Sequence, residues 1–359
     1  MLGTEETKRV FKKASLRDVA KAANVSVTTM SHYLSGRSGI CSAETGRRIQ
    51  GALERLHYVP NSLERGLRSG RTQCLGICMT HLKDIAVDER DSFVTRAWRG
   101  IGKVSDEYEL SLLQYPVTVR EGTDAAPFLD GRIDGLVMSV LSYRDARLDK
   151  IVAAGLPCVA IDCIEDLPPN CGAAWADESM TANLALNRLW SAGHRRIAFI
   201  AASSLVPPYV GISGRRIVAY IQWMSARSVY MPEYLLSAQA WEGNGVEGAI
   251  TEMLALPRRP TALFCANDRI AWRVIEALSA KGFDVPGDFS VVGVDNLILS
   301  NAPAPRLTTV DVPADVIGEQ AMRALMKLFS NAPIEECRIC VPVTNLVEGD
   351  TVALAREPY

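Results

Sequence analysis

The sequence predicts a small all-α helix-turn-helix head joined to an α/β body of two lobes, each lobe a doubly wound parallel sheet. Three observations predict it. Residues 16–36, LRDVAKAANVSVTTMSHYLSG, carry helical apolar spacing broken once by a turn. From Thr72 onward short apolar runs alternate with helical segments, and the rhythm restarts near Met180, so two sheets of βα units follow one another. Charge divides the same way: residues 1–72 hold 13 Lys+Arg against 6 Asp+Glu, and the remainder holds 26 against 35, although the whole chain sums to only −2. A basic head on an acidic body fits one end meeting a polyanion.

In chain order, residues 1–13 mix Glu5, Glu6, Lys8, Arg9, Lys12 and Lys13 with little apolar content and read as a mobile arm. Residues 14–59 form the head. Leu16, Val19, Ala20 and Ala23 share one face of a first helix, which Asn24 ends because Asn tolerates the left-handed position. Ser26 is a favoured N-cap for a second helix from Val27 to Leu34, with Met30, Tyr33 and Leu34 turned inward and Thr28, Thr29 and His32 outward. A third helix, capped around Ser42, covers both with Ile49, Ala52, Leu53 and Leu56. Thr29, Ser31, Arg17 and Arg37 suit phosphate contacts, which position a protein on a duplex without reading its sequence.

The body begins with a buried strand at Cys74–Met79, a helix from Phe93 to Tyr108 and a strand from Leu110 to Gln114. Strands at 135–139 and 157–161 flank a helix at 148–154 that Gly155 ends. The second series runs through helices at 180–192, 216–227, 245–256 and 270–281 and strands at 196–201, 261–265 and 289–294. Ligands of such sheets sit beyond the carboxyl ends of the strands.

The ordered motifs LRDVAKAANVS, SAETGRRI, LHYVPN and LERGLRSGRT over residues 15–72 resemble the start of lac repressor (LacI/GalR) family regulators. The segments RIDGLVM, GLPCVAID, SAGHRRIAFI, PTALFCAND, FDVPGDFSVVGVDN and PRLTTVDVP extend the resemblance over nearly all of 73–345. The resemblance implies a transcriptional repressor that binds double-stranded DNA at a pseudo-palindromic operator as a homodimer. It also implies a periplasmic-binding-protein-like body holding a sugar or sugar-like effector between its lobes. It assigns base reading to Val27, Thr28 and His32. His32 departs from the family's usual Arg and lacks the bidentate fork that pairs with guanine. Residues 60–72 match the family's hinge helix, adding Asn61, Arg65 and Leu67, with Leu67 in the place of the minor-groove wedge. Effector contacts fall on Phe93, Arg216, Trp241, Asn267, Asp268 and Asp295. The implied division of 73–359 is a first lobe of 73–162 plus 310–335 and a second of 163–308 plus 336–359.

An alternative class is a nucleotide-binding enzyme domain fused to a DNA-binding head. Gly243-Asn-Gly-Val-Glu-Gly248 is a GxGxxG, and Asp268 lies twenty residues on, but Ser237–Glu242 before it makes a poor buried strand. No HExxH, Walker A or GxSxG motif occurs, and no cofactor, metal or enzymatic activity is expected. Nine Cys without framework spacing, no signal peptide and no apolar run near the ~20 residues of a membrane span point to a cytoplasmic, nucleoid-associated protein. Cys337 and Cys340 form a CxxC whose members point to opposite faces in a strand, with no second pair beside them.

Overall fold

The computed structural model describes residues 14–34, 41–58, 71–79, 92–116, 119, 122–139, 145–202, 205, 209, 211–238, 245–297 and 305–356. The chain divides into two compact units, Met1–Thr72 and Gln73–Tyr359.

The first unit contains α1 (Leu16–Ala22), α2 (Val27–Leu34) and α3 (Ala43–Arg55). Ser15 starts α1 with a reciprocal cap: its hydroxyl accepts from the Asp18 amide at 3.3 Å, and the Asp18 carboxylate accepts from the Ser15 amide at 2.9 Å. Asn24, at φ 51°, takes the left-handed position that ends the helix. Ser26 then caps α2 by accepting the Thr29 amide at 3.0 Å. Leu16, Val19, Ala20, Met30, Ile49 and Ala52 form a closed core, with Tyr33, Leu34, Leu53 and Leu56 packed on its edge. Burying Met30 completely contributes about 2 kcal/mol.

In the second unit, β1 (Cys74–Cys78), α4 (Phe93–Glu107), β2 (Ser111–Gln114), β3 (Gly135–Ser139), α5 (Ala146–Ala153), β4 (Cys158–Ile161) and β5 (Gly172–Ala176) come first. Then follow α6 (Glu178–Ser191), β6 (Ile197–Ala201), α7 (Gly211–Ser225), β7 (Leu235–Ser237), α8 (Gly245–Ala255), β8 (Ala262–Cys265), α9 (Asp268–Ala280) and β9 (Ser290–Val294). The last elements are β10 (Thr308–Asp311), α10 (Ala314–Phe329), β11 (Arg338–Val341) and β12 (Asn345–Val347).

Two six-stranded sheets result, in the orders β11-β5-β4-β3-β1-β2 and β12-β10-β9-β8-β6-β7. Every described pairing is parallel except β10 with β12, so the two sheets are the doubly wound parallel sheets expected, with one antiparallel edge. β12 is a three-residue edge strand that returns along β10, a place where a doubly wound sheet accepts an antiparallel neighbour.

The lobe limits shift. β5 and β11, assigned in sequence to the second lobe, are hydrogen-bonded into the first sheet, and β10 belongs to the second. The chain therefore crosses between sheets after Ala176, after Asp311 and after Val341. The strand Gly-Ala-Ala-Trp-Ala is short and lacks β-branched residues, so its pattern did not announce it.

In the first sheet, α4 and α10 cover one face, and α5 with Phe128 and Ile133 covers the other. An added Cβ on Gly100 would strike the backbone of Asp315, and one on Gly318 the backbone of Ala97, so these two glycines let α4 and α10 touch main chain to main chain. In the second sheet, α6 and α7 pack together against strands of the sheet, and α8 and α9 form a second pair. The core strands are buried on both faces, which explains their continuous apolar runs. All nine cysteines are free thiols. Cys337 is buried and Cys340 exposed, on opposite sides of the chain.

Candidate functional sites: the α2 surface and the carboxylate cleft

In the head, α2 presents its first turn to solvent. Val27 is 43% exposed and Thr28 is exposed, while Thr29, Ser31 and His32 are half-buried. The first turn carries no acidic residue, as a helix end approaching phosphates requires. Thr28 and His32, one turn apart, lie on one face. Arg17 is exposed on α1. The Thr29 hydroxyl already shares a 2.8 Å hydrogen bond with Ser26, so this side chain also fixes the turn between the helices. Arg37, Asn61, Arg65 and Leu67 lie outside the described residues.

In the body, the carboxyl ends of the strands gather charge. Asp295 follows β9, and Asn267 and Asp268 follow β8. Asp162 follows β4 in the other sheet, so the two lobes contribute one carboxylate each. Glu178 opens α6, Arg215 and Arg216 lie in the first turns of α7, and Arg96 lies one turn into α4.

Arg216 is 4% exposed and its guanidinium is fully engaged. Nε and Nη2 donate to the two Glu178 oxygens at 2.6 and 2.9 Å, and Nη1 donates to the Ala266 carbonyl. Sequence reasoning expected this group to fork onto a ligand; here Glu178 takes the fork. A paired bidentate ion pair of this kind survives burial because both charges are satisfied. Its neighbour Arg215 donates to Glu165 at 2.9 and 3.0 Å and to the Asp162 carbonyl at 2.9 Å, joining the second lobe to the segment after β4. Arg96 donates to Asp311 at 2.6 Å and to Asp315 at 3.4 Å.

Asn267 spends its side-chain oxygen on the Ile270 amide at 3.0 Å, capping α9. Asp268 is 1% exposed and accepts from the Thr309 hydroxyl at 2.6 Å and the Leu297 amide at 2.7 Å. It thereby ties down the residues after Asp295. Gly293 makes room for it, since a Cβ there would overlap the Asp268 carboxylate. Burial, then Asp295, holds its carboxyl well above the usual range. With both oxygens engaged, Asp268 is occupied where the nucleotide alternative needs it open to a ribose. Gly243 and Asn244, along with Trp241, lie outside the described residues. Phe93 opens α4 and packs half-buried on the core.

Asp162 and Asp295 differ from these. Burial, reinforced by Glu178, pushes the Asp162 carboxyl up to about 7 against the pull of Arg215 and Arg216. Burial also pushes Asp295 up to about 7, with Glu178 opposing Arg216, Arg96 and Arg269. Perturbed carboxylates beyond the carboxyl ends of strands are candidates for a ligand site. Sequence reasoning passed over Asp162, Glu178 and Arg96, and left Arg215 as the neighbour with which Arg216 could be confused. Asp162 carried the same signal as Asp295, an acid closing an apolar strand in GLPCVAID. A separate groove of about 430 Å³, lined by residues such as Leu156, Pro157, Asn170 and Leu328, sits at the amino ends of β4 and β5 and has no titratable side chain in its lining.

Comparisons with known proteins agree with this division. A model of bacterial regulatory proteins of the lacI family matches residues 15–61, and one of periplasmic binding protein-like domains matches 186–352. The HTH-type transcriptional repressor PurR of Mannheimia succiniciproducens is 28% identical over 332 residues, 89% of this chain and 92% of that protein. Catabolite control protein A of Priestia megaterium is 24% identical over 335 residues, 91% of this chain and 96% of that protein. A crystal structure of the lac repressor dimer bound to operator and the anti-inducer ONPF superposes with a TM-score of 0.74 at 22% identity, covering 95% of this chain and 100% of that one. A complex of the transcriptional regulator CelR with cellobiose gives 0.68 at 22% identity, covering 94% and 99%. With a three-helix head that presents α2 and a two-sheet body, each matched by its own family model, the chain joins a lacI-family DNA-binding head to a periplasmic binding protein-like body and is a DNA-binding transcriptional regulator.

Proposed function

We propose that the protein is a cytoplasmic repressor that binds a pseudo-palindromic operator on nucleoid DNA as a homodimer and changes its operator affinity when a sugar-like effector enters the body. Residues 14–59 read the major groove through Val27, Thr28 and His32, with Arg17, Thr29, Ser31 and Arg37 on phosphates. Residues 60–72 act as a hinge, with Asn61 and Arg65 on the DNA and Leu67 as the wedge that opens a base step. Residues 1–13 are an arm. The effector lies against Asp295 and Asp162, with Phe93 and Trp241 as apolar faces and Arg216, Asn267 and Asp268 holding the carboxylates' surroundings in shape.

The observation that carries the effector reading is that strands of two different sheets end in Asp162 and Asp295, two carboxylates that feel the same Glu178 and Arg216. A ligand bridging them holds both lobes, and a bridge of that kind sets the lobe angle. CelR, similar in fold, is a complex with cellobiose.

The test is operator binding in the presence of a panel of mono- and disaccharides. At least one sugar is expected to shift operator affinity, and Asp295→Ala is expected to lose that response while its sugar-free operator affinity stays within a few-fold of the parent. An Asp295→Ala protein that responds like the parent places the effector elsewhere.

A further inference from the structure

The charges around this cleft do not balance, and the imbalance describes the ligand. Arg216 is neutralised by Glu178, Arg215 by Glu165, and Arg96 by Asp311 and Asp315. Asp268 is satisfied by Thr309 and Leu297. Asp162 and Asp295 are left. Among the described residues no ion pair engages either carboxylate, and Asp162 Oδ1 is buried without a hydrogen-bond partner. The remaining cation acting on either is the exposed Arg269, which acts on Asp295 alone. Two carboxylates without an ion pair, one at the end of a strand in each sheet, therefore lie within electrostatic reach of each other.

We infer that the ligand of this cleft is a polyhydroxylated compound bearing a protonated amine, with the ammonium group held by Asp162 and Asp295 together, and that phosphorylated or carboxylated analogues are rejected. The inference rests on the reading of the cleft as the effector site and adds the charge class of the occupant. An ammonium brings three donors and no acceptor, so it satisfies an orphaned carboxylate oxygen and offsets its charge in one contact. A neutral hydroxyl supplies a donor and leaves the charge in place. A phosphate adds negative charge beside carboxylates and leaves more buried acceptors unpaired, which is how a polar site excludes a ligand of the wrong kind.

The titration of both acids supports the same view. A carboxyl raised to about 7 by burial and by Glu178 contributes fully to stability below its unfolded value near 4 and loses that contribution as pH rises through about 7. Above that range the empty cleft carries both charges and is strained by them. Below it, protons occupy the place of the amine.

The experiment uses the full chain and its Asp162→Asn and Asp295→Asn variants, with melting temperature followed from pH 5 to 8. D-glucosamine, D-glucose and D-glucose 6-phosphate are added separately as probes on one ring. Each Asn variant is expected to melt roughly 2–4 °C above the parent at pH 8 and to converge with it near pH 5. Glucosamine is expected to raise the parent's melting temperature at pH 7.5 more than glucose does, glucose 6-phosphate to leave it unchanged, and the amine's advantage to vanish at pH 5 and in both variants. Equal shifts from the three probes, zero included, or a larger shift from the phosphate, overturn the inference. So does a lower melting temperature at pH 8 in both Asn variants, which would mean that the carboxylates are already compensated. None of these results removes the effector site itself; that reading falls if operator affinity ignores every compound that binds the body, or if Asp295→Ala responds to a sugar like the parent.

Discussion

His194 shows how a single side chain can be legible as a motif and opaque as chemistry. It stands in the quoted segment SAGHRRIAFI, yet the sequence gives no sign of its partners. In the structure it is 3% exposed, its Nδ1 pairs with the Thr261 hydroxyl at 2.8 Å and its Nε2 with the Ser290 hydroxyl at 2.9 Å, near the Ala353 carbonyl at 3.1 Å. It pins the chain after β12 to the start of β9. Burial lowers its pKa from the ordinary value near 6.5, so the fold holds the neutral ring. Its contribution is complete above about pH 6.5 and is lost as pH falls through the depressed folded value, because the unfolded chain takes up the proton first. Urea titrations at pH 7.5 and 5.5 are expected to show a drop in unfolding free energy that His194→Gln largely abolishes; an identical drop in the variant assigns the acid sensitivity to other groups. His32 is a residue-scale case on the DNA side. Replacing it by Arg restores a bidentate fork, so sites selected from random duplexes should gain a guanine preference at one position in each half-site, worth about 1–3 kcal/mol. An unchanged selection profile would make His32 a bystander.

Among the elements, those with strong periodicity were legible: all three helices of the head, and the strands whose apolar runs are buried on both faces. β5, β7, β10, β11, β12 and α10 were not singled out. The short edge and Ala-rich strands have too few residues for a period to emerge, and which sheet they join is fixed by crossings between lobes that local pattern does not encode. The contact of α4 with α10 is of the same kind. Gly100 and Gly318 look like helix-weakening residues in sequence, and only their packing explains them. Gly100→Ala should therefore destabilise by about 1–3 kcal/mol, despite the higher helix propensity of Ala, because the methyl meets backbone that cannot rotate away. A melting temperature equal to or above the parent's would show that the helices separate easily. The candidate site was half legible for a related reason. Asp295 and Arg216 stood out in motifs, but that Arg216 is spent on Glu178, and that Asp162 is left uncovered, depends on pairings between residues 38 or more positions apart.

For the molecule as a whole, the charge division visible in the sequence sets the mode of binding. A basic head releases counterions from DNA and an acidic body avoids it, so operator affinity is expected to fall as salt rises. Two-fold assembly requires two half-sites, because a symmetric dimer reads the same sequence twice in opposite directions. The most direct test of the account is selection of binding sites from a random duplex library by the full chain, followed by measurement of affinity for the selected duplex across a salt series. The account predicts an imperfect palindrome bound by two chains, with affinity falling as salt rises and Thr28→Ala and His32→Ala each losing discrimination against random duplex. A selected site with a single half, or an affinity that salt leaves unmoved, would contradict it.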